Sequence, residues 1–231
     1  MLDLPLYIPI IFIGTVLATL AFLVFAIRQS NLSRSGANIV LLVLIVWLFF
    51  QSVVSLKGFY YTDTRSMPPR FGLLIVPPLL VIIFLFITRR GRVFMDSLPL
   101  VPITLLSIVR IPVEITLYWL CLHRYVPELM TYIGRNFDLI SGNTAPFIAY
   151  AIYRGAISRR LILWWNIIAL CLLLNIVVNA VLSAPLAFQQ FAFDQPNVGL
   201  LYFPFIWLPS FIVPVVLFTH LVSIRRMLIK R

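Results

Sequence analysis

PLYIPIIFIGTVLATLAFLVFAI, from Pro5 to Ile27, runs for 23 residues without a charge. A helix rises about 1.5 Å per residue and a bilayer's hydrocarbon core is about 30 Å thick, so about 20 apolar residues suffice to cross it. The residues before it, Met1-Leu2-Asp3, lack the basic stretch of a secretory signal, so the run reads as a retained span.

Runs of the same kind recur along the chain. They predict further spans over Ile39–Val54 (beginning near Ala37), Phe71–Thr88, Leu98–Leu122, Leu139–Tyr153, Leu161–Ala184 and Leu201–Ile224. The expected fold class is therefore all-α: a polytopic transmembrane helical bundle of seven spans, with residues 1–231 as a single integral membrane domain. Composition agrees, with 62% hydrophobic residues and a mean hydropathy of +1.05. A soluble domain is about 45–50% apolar.

Charge placement gives an expected orientation. Twelve Lys or Arg residues cluster at one set of span ends: Arg28, Arg34, Arg89, Arg90, Arg92, Arg154, Arg159, Arg160, Arg225, Arg226, Lys230 and Arg231. The other set holds five: Lys57, Arg65, Arg70, Arg124 and Arg135. The positive-inside rule puts the twelve in the cytoplasm, the N-terminus outside and the C-terminus inside. The net charge of +11 thus reflects helix orientation and not nucleic-acid binding, since no Lys/Arg stripe with interleaved aromatics is present. The sequon Asn31-Leu32-Ser33 falls on the expected cytoplasmic side and is set aside.

The most informative residues are in the fourth span, LLSIVRIPVEITLYWL (105–120). Arg110 and Glu114 sit at its centre, where a charge costs about 2.5–3.5 kcal/mol on insertion scales. Their spacing of four puts both on one helical face, so they are expected to pair. Pro112 removes the helical donor for the Ile108 carbonyl and should distort the span, with Arg110 as a replacement donor. Tyr118 extends the same face by four residues. In the sixth span, Asn175, Asn179 and Ser183 form a polar stripe at spacings of four. Asp138, Ser141 and Asn143 open the fifth span. Under the expected topology all of these share a depth, and one polar cavity open to the outer face would satisfy them together. Arg110, Glu114, Tyr118, Asp138, Asn143, Asn175 and Asn179 are the candidate ligand-binding residues. The competing reading is that the charges form a packing clamp and that Asn and Ser glue helices together at about 0.6 kcal/mol per hydrogen bond. The prolines Pro77-Pro78, Pro99, Pro102, Pro112, Pro204, Pro209 and Pro214 mark broken or kinked spans, which line transporter sites but also occur without a transport role.

Several functions are excluded. A retinal Schiff base needs a buried Lys, and Lys57 and Lys230 lie in a loop and a tail. A membrane zinc hydrolase needs several His on helix faces, whereas His123 and His220 are expected on opposite sides of the membrane. Cys121 and Cys171 have no metal-ligand spacing. No phosphate loop, HExxH or Ser-His-Asp set is present, so neither a cofactor, a metal nor a catalytic residue is expected. The favoured function is a non-enzymatic membrane protein that binds or moves a small molecule through an outward-facing polar cavity, with the lipid bilayer and that ligand as its expected partners. The alternatives are an intramembrane enzyme acting on a lipid, with Glu114 as acid/base, and a structural or accessory subunit.

The stretches GRNFDLISGNTAP (134–146), NIVVNAVLSAP (175–185), FQQFAFDQPN (188–197) and FPFIWLPSFIVPVVLFTHL (203–221) resemble an uncharacterised family of small bacterial inner-membrane proteins of the Bacteroidota type. The resemblance implies a bacterial cytoplasmic membrane location and brings no activity, ligand or site residue.

Overall fold

The computed structural model describes residues 3–64, 66 and 69–229. Arg65, Lys230 and Arg231, counted above among the loop cations, lie outside them. The described residues form helices and no strands. The order is α1 (Tyr7–Arg28), α2 (Arg34–Leu56), α3 (Gly72–Ile87), α4 (Arg89–Ser97), α5 (Leu100–Leu105), a 3-10 turn (Leu106–Val109), α6 (Arg110–Leu122), α7 (Asp138–Tyr153), α8 (Arg159–Leu182), a π turn (Leu208–Ile212) and α9 (Val213–Leu228).

Five helices are long and apolar enough to cross a membrane: α1, α2, the continuous Leu100–Leu122, α8, and Leu208–Leu228. A sixth is reached if α3 and α4 count as one span, although they are bent by 94° at Thr88. The expected fifth span, α7, has only 16 residues, or about 24 Å of helix.

The exterior is itself apolar. On α2, Ile39, Leu42, Val43, Val46 and Phe49 are exposed along one face. On α3, Leu80, Val81, Ile83, Phe84 and Ile87 are too. Apolar exposure on this scale suits lipid and not water; these are the features of an integral membrane protein. Inside lipid, hydroxyls on helices need local partners. Thr15, Thr19, Ser52 and Ser210 each donate to the carbonyl four residues back.

Leu100–Leu122 and α9 are the most enclosed elements, with α1, α7 and α8 packed around them. Two proline effects shape them. The turn before Pro112 tightens into the 3-10 stretch Leu106–Val109, which ends at Arg110. Pro214 cannot donate to Ser210, so that carbonyl loses its helical partner. The Trp47 indole N–H on α2 supplies one at 2.9 Å. Trp207 reciprocates by donating to Leu48 O at 3.0 Å.

Hydrogen bonds gather the chain's turns into two ends. At one, Asn31 bonds Ser97, Arg225 pairs with Asp96, and Arg159 bonds the carbonyls of Arg226 and Met227. At the other, Asp3 N–H donates to Tyr125 Oη, and the Tyr125 carbonyl accepts from Val198 and Gly199.

Candidate functional site: a buried charge cluster between α6, α7, α8 and α9

Arg110 is the first residue of α6 and is 3% exposed. Its Nη1 donates to Asp138 Oδ1 at 3.2 Å and to Ala169 O at 3.3 Å. Its Nη2 lies 3.1 Å from His220 Nε2. The guanidinium therefore ties α6 to α7, α8 and α9 at once. The expected Arg110–Glu114 pair does not form; the salt bridge runs to Asp138 instead. Nor does Arg110 turn back to the Ile108 carbonyl, because its donors reach across to Ala169.

Close helix packing explains the change of partner. Gly142 on α7 sits against α6, where an added Cβ would lie 2.9 Å from Ile111 Cγ1 and 3.4 Å from Arg110 Cβ. Asp138 stands one turn before Gly142 on the same face of α7, so the close approach delivers its carboxylate to Arg110.

Glu114 is 2% exposed and has a different partner. Its Oε1 accepts from Asn136 Nδ2 at 2.5 Å. Asn136 Nδ2 also donates to Met130 O, and its Oδ1 accepts the backbone N–H of Asp138 at 3.1 Å. Asn136 thus joins the Glu114 carboxylate to the backbone of Asp138. It is held there by a tight loop in which a Cβ on Gly134 would meet Glu128 O at 2.4 Å, so only glycine fits.

On the far side, His220 Nδ1 lies 2.9 Å from Asn166 Oδ1, and Asn166 Nδ2 donates to Ile162 O. A guanidinium has no acceptor, so His220 Nε2 must accept from it. The Nδ1 proton then faces the Asn166 oxygen, and the imidazole is neutral in this arrangement. The connected series runs Glu114, Asn136, Asp138, Arg110, His220, Asn166, and every member is buried.

Some polar atoms in this core have no partner among the described residues: Arg110 Nε, Glu114 Oε2, Ser107 Oγ and Thr104 Oγ1. Thr104, Ser107, Arg110 and Glu114 follow at spacings of three, three and four, so they share one face of the Leu100–Leu122 helix. Buried polar atoms without partners are uncommon, and each calls for an explanation such as water or an ion. The formal balance is one guanidinium against two carboxylates, so the cluster complements a small cation and not a further anion. No three His, Cys, Asp or Glu side chains among the described residues converge as a metal set.

The other sequence-derived residues lie apart from these six. Tyr118 is half-buried with its ring 5.2 Å from Tyr132. Asn143 is exposed. Asn175 is exposed and donates to Arg135 O at 2.7 Å. Asn179 is buried and donates to Asn175 O. The stripe on α8 thus anchors the loop before α7.

Asn136, Asn166 and His220 were missed as cluster members. His220 was misjudged in depth: an expected span of Leu201–Ile224 puts it near an end, whereas the helix runs from Leu208 to Leu228 and puts it nearer the middle. Asn136 could have been suspected only from its place two residues before Asp138.

No curated protein and no solved structure matches the chain. Residues 67–228, which include the whole cluster, match the family described as Domain of unknown function (DUF8737), and the chain belongs to that family.

Proposed function

We propose that this protein crosses a bacterial cytoplasmic membrane seven times, N-terminus outside, and passes a small cation, the proton included, at Glu114 and Asp138. The seven crossings are α1, α2, α3, Leu100–Leu122, α7, α8 and α9. Support for this comes from the two groups of turns joined by hydrogen bonds and from the excess of cations in one group.

The observation that carries the functional reading is the unpartnered Glu114 Oε2 inside an otherwise connected polar series. Intramembrane carboxylates are costly and typically mark ion pathways or proton relays. Arg110 already has Asp138 as its anion, so an anionic ligand gains little there. Outward access would follow displacement of the loop before α7, whose buried Asn136 bonds Glu114.

The test is flux in proteoliposomes carrying an internal pH dye or a potassium dye. Glu114→Gln keeps an acceptor for Asn136 and removes the charge. Loss of flux in a variant that remains monodisperse supports the proposal. Undiminished flux in Glu114→Gln, or no flux of either ion in the native protein, overturns it. The second reading, a structural clamp, is favoured by the way Arg110 joins four helices. It predicts a stability effect without any flux to lose.

A further inference from the structure

A groove of about 790 Å³ lies on another side of the molecule, between α2 and α3. That volume is within the roughly 300–1,000 Å³ range of ligand sites. The gap exists because α2 leans on α1, whereas α3 is held by α4, the π turn and α9. Its floor includes Phe211 and Val215 and its walls Val43, Trp47, Pro77 and Val81. Only two charged side chains, Arg89 and Arg90, line it, and both are at one end.

We propose that this groove holds an acyl chain of an anionic phospholipid whose phosphate sits on Arg89 and Arg90. The inference rests on the bilayer placement proposed above and is independent of the Arg110 cluster.

The groove's length fits one leaflet. From Pro77 to Arg89 the chain advances twelve residues, about 18 Å of helix, against about 15 Å for half a hydrocarbon core. The 94° bend at Thr88 turns α4 across the direction of α3, so α4 lies at the level where headgroups begin. The side chains of Arg89 and Arg90 are exposed and make no hydrogen bond or ion pair among the described residues. Their neighbour Arg92 differs, donating to the carbonyls of Phe86 and Ile87 at the end of α3. The nearby acid, Asp96, is taken by Arg225. Two free guanidinium groups at the start of the nine-residue α4 therefore meet the mouth of an apolar groove, and helix N-termini favour anions. Arginine binds phosphate oxygens bidentately. A zwitterionic lipid offers the same tail without net charge, so preference for the anionic headgroup is the signature.

The purified protein in mild detergent is titrated with phosphatidylglycerol or phosphatidylcholine of identical chains, and retained lipid is read by native mass spectrometry. The expected result is one phosphatidylglycerol per chain, retained about tenfold more tightly than phosphatidylcholine. Arg89→Gln/Arg90→Gln should remove about that tenfold preference, and both positions are exposed, so folding is preserved. One equivalent of phosphatidylglycerol with brominated chains should quench native tryptophan fluorescence more than that of Trp47→Phe. Equal retention of both lipids, retention unchanged in the double variant, or quenching that does not depend on Trp47 overturns the proposal. Release of the native protein from membranes by alkaline carbonate would instead overturn the bilayer placement, and that outcome is read separately.

Discussion

Arg110 makes its salt bridge to Asp138, 28 positions along the chain, and not to Glu114 on its own helix. Spacing of four makes a pair on one helix possible, but the guanidinium follows the carboxylate that close packing of α7 brings to it.

This relationship sets the first prediction. Arg110→Leu or Asp138→Leu alone should destabilise the protein by about 3–5 kcal/mol, because each leaves a buried charge without its partner. The Arg110→Leu/Asp138→Leu variant should recover much of that loss in thermal unfolding in detergent. Arg110→Leu/Glu114→Leu should recover less, since Asp138 is then the stranded charge. Equal recovery in the two double variants would contradict the pairing.

His220 joins Arg110 to Asn166, so its removal strands a donor on one side and an acceptor on the other. His220→Phe should cost about 1–3 kcal/mol. Adding Asn166→Leu should return part of it by removing the stranded acceptor. The check is a double-mutant cycle on melting temperature; strict additivity would show that His220 and Asn166 do not interact.

The Trp47–Ser210 hydrogen bond exists because Pro214 cannot supply a backbone N–H. Trp47→Phe should destabilise by about 1–3 kcal/mol. Pro214→Ala restores a donor for the Ser210 carbonyl, so Trp47→Phe should cost less in that background. A cost unchanged by Pro214→Ala would assign Trp47's effect to its ring packing.

Orientation is open to labelling. In a background without Cys121 and Cys171, a cysteine at exposed Phe193, near Asn197, should react with an impermeant maleimide from outside the cell. One at exposed Ala156, near Ser158, should react only after the membrane is opened. The reverse pattern would invert the proposed topology.

The sequence by itself determined the helical class and the positions of most long apolar helices, because membrane crossing imposes a length and a hydropathy that each segment must meet alone. It also marked Arg110 and Glu114 as charges inside an apolar run, and Asp138 as a polar residue at the start of another. Tertiary structure alone decided who partners whom. Asn166 and His220 carry no local signal, since a lone polar residue in an apolar run looks the same whether it faces a neighbour or fills a packing gap, and Asn136, in a polar loop, has only its place two residues before Asp138. The 94° turn at Thr88 and the groove beside it are likewise set by how α3 and α4 rest on α9. The last helix runs to Leu228, which puts His220 nearer its middle, and the π turn at its start accepts a hydrogen bond from a tryptophan of α2, a contact 163 residues distant in the chain.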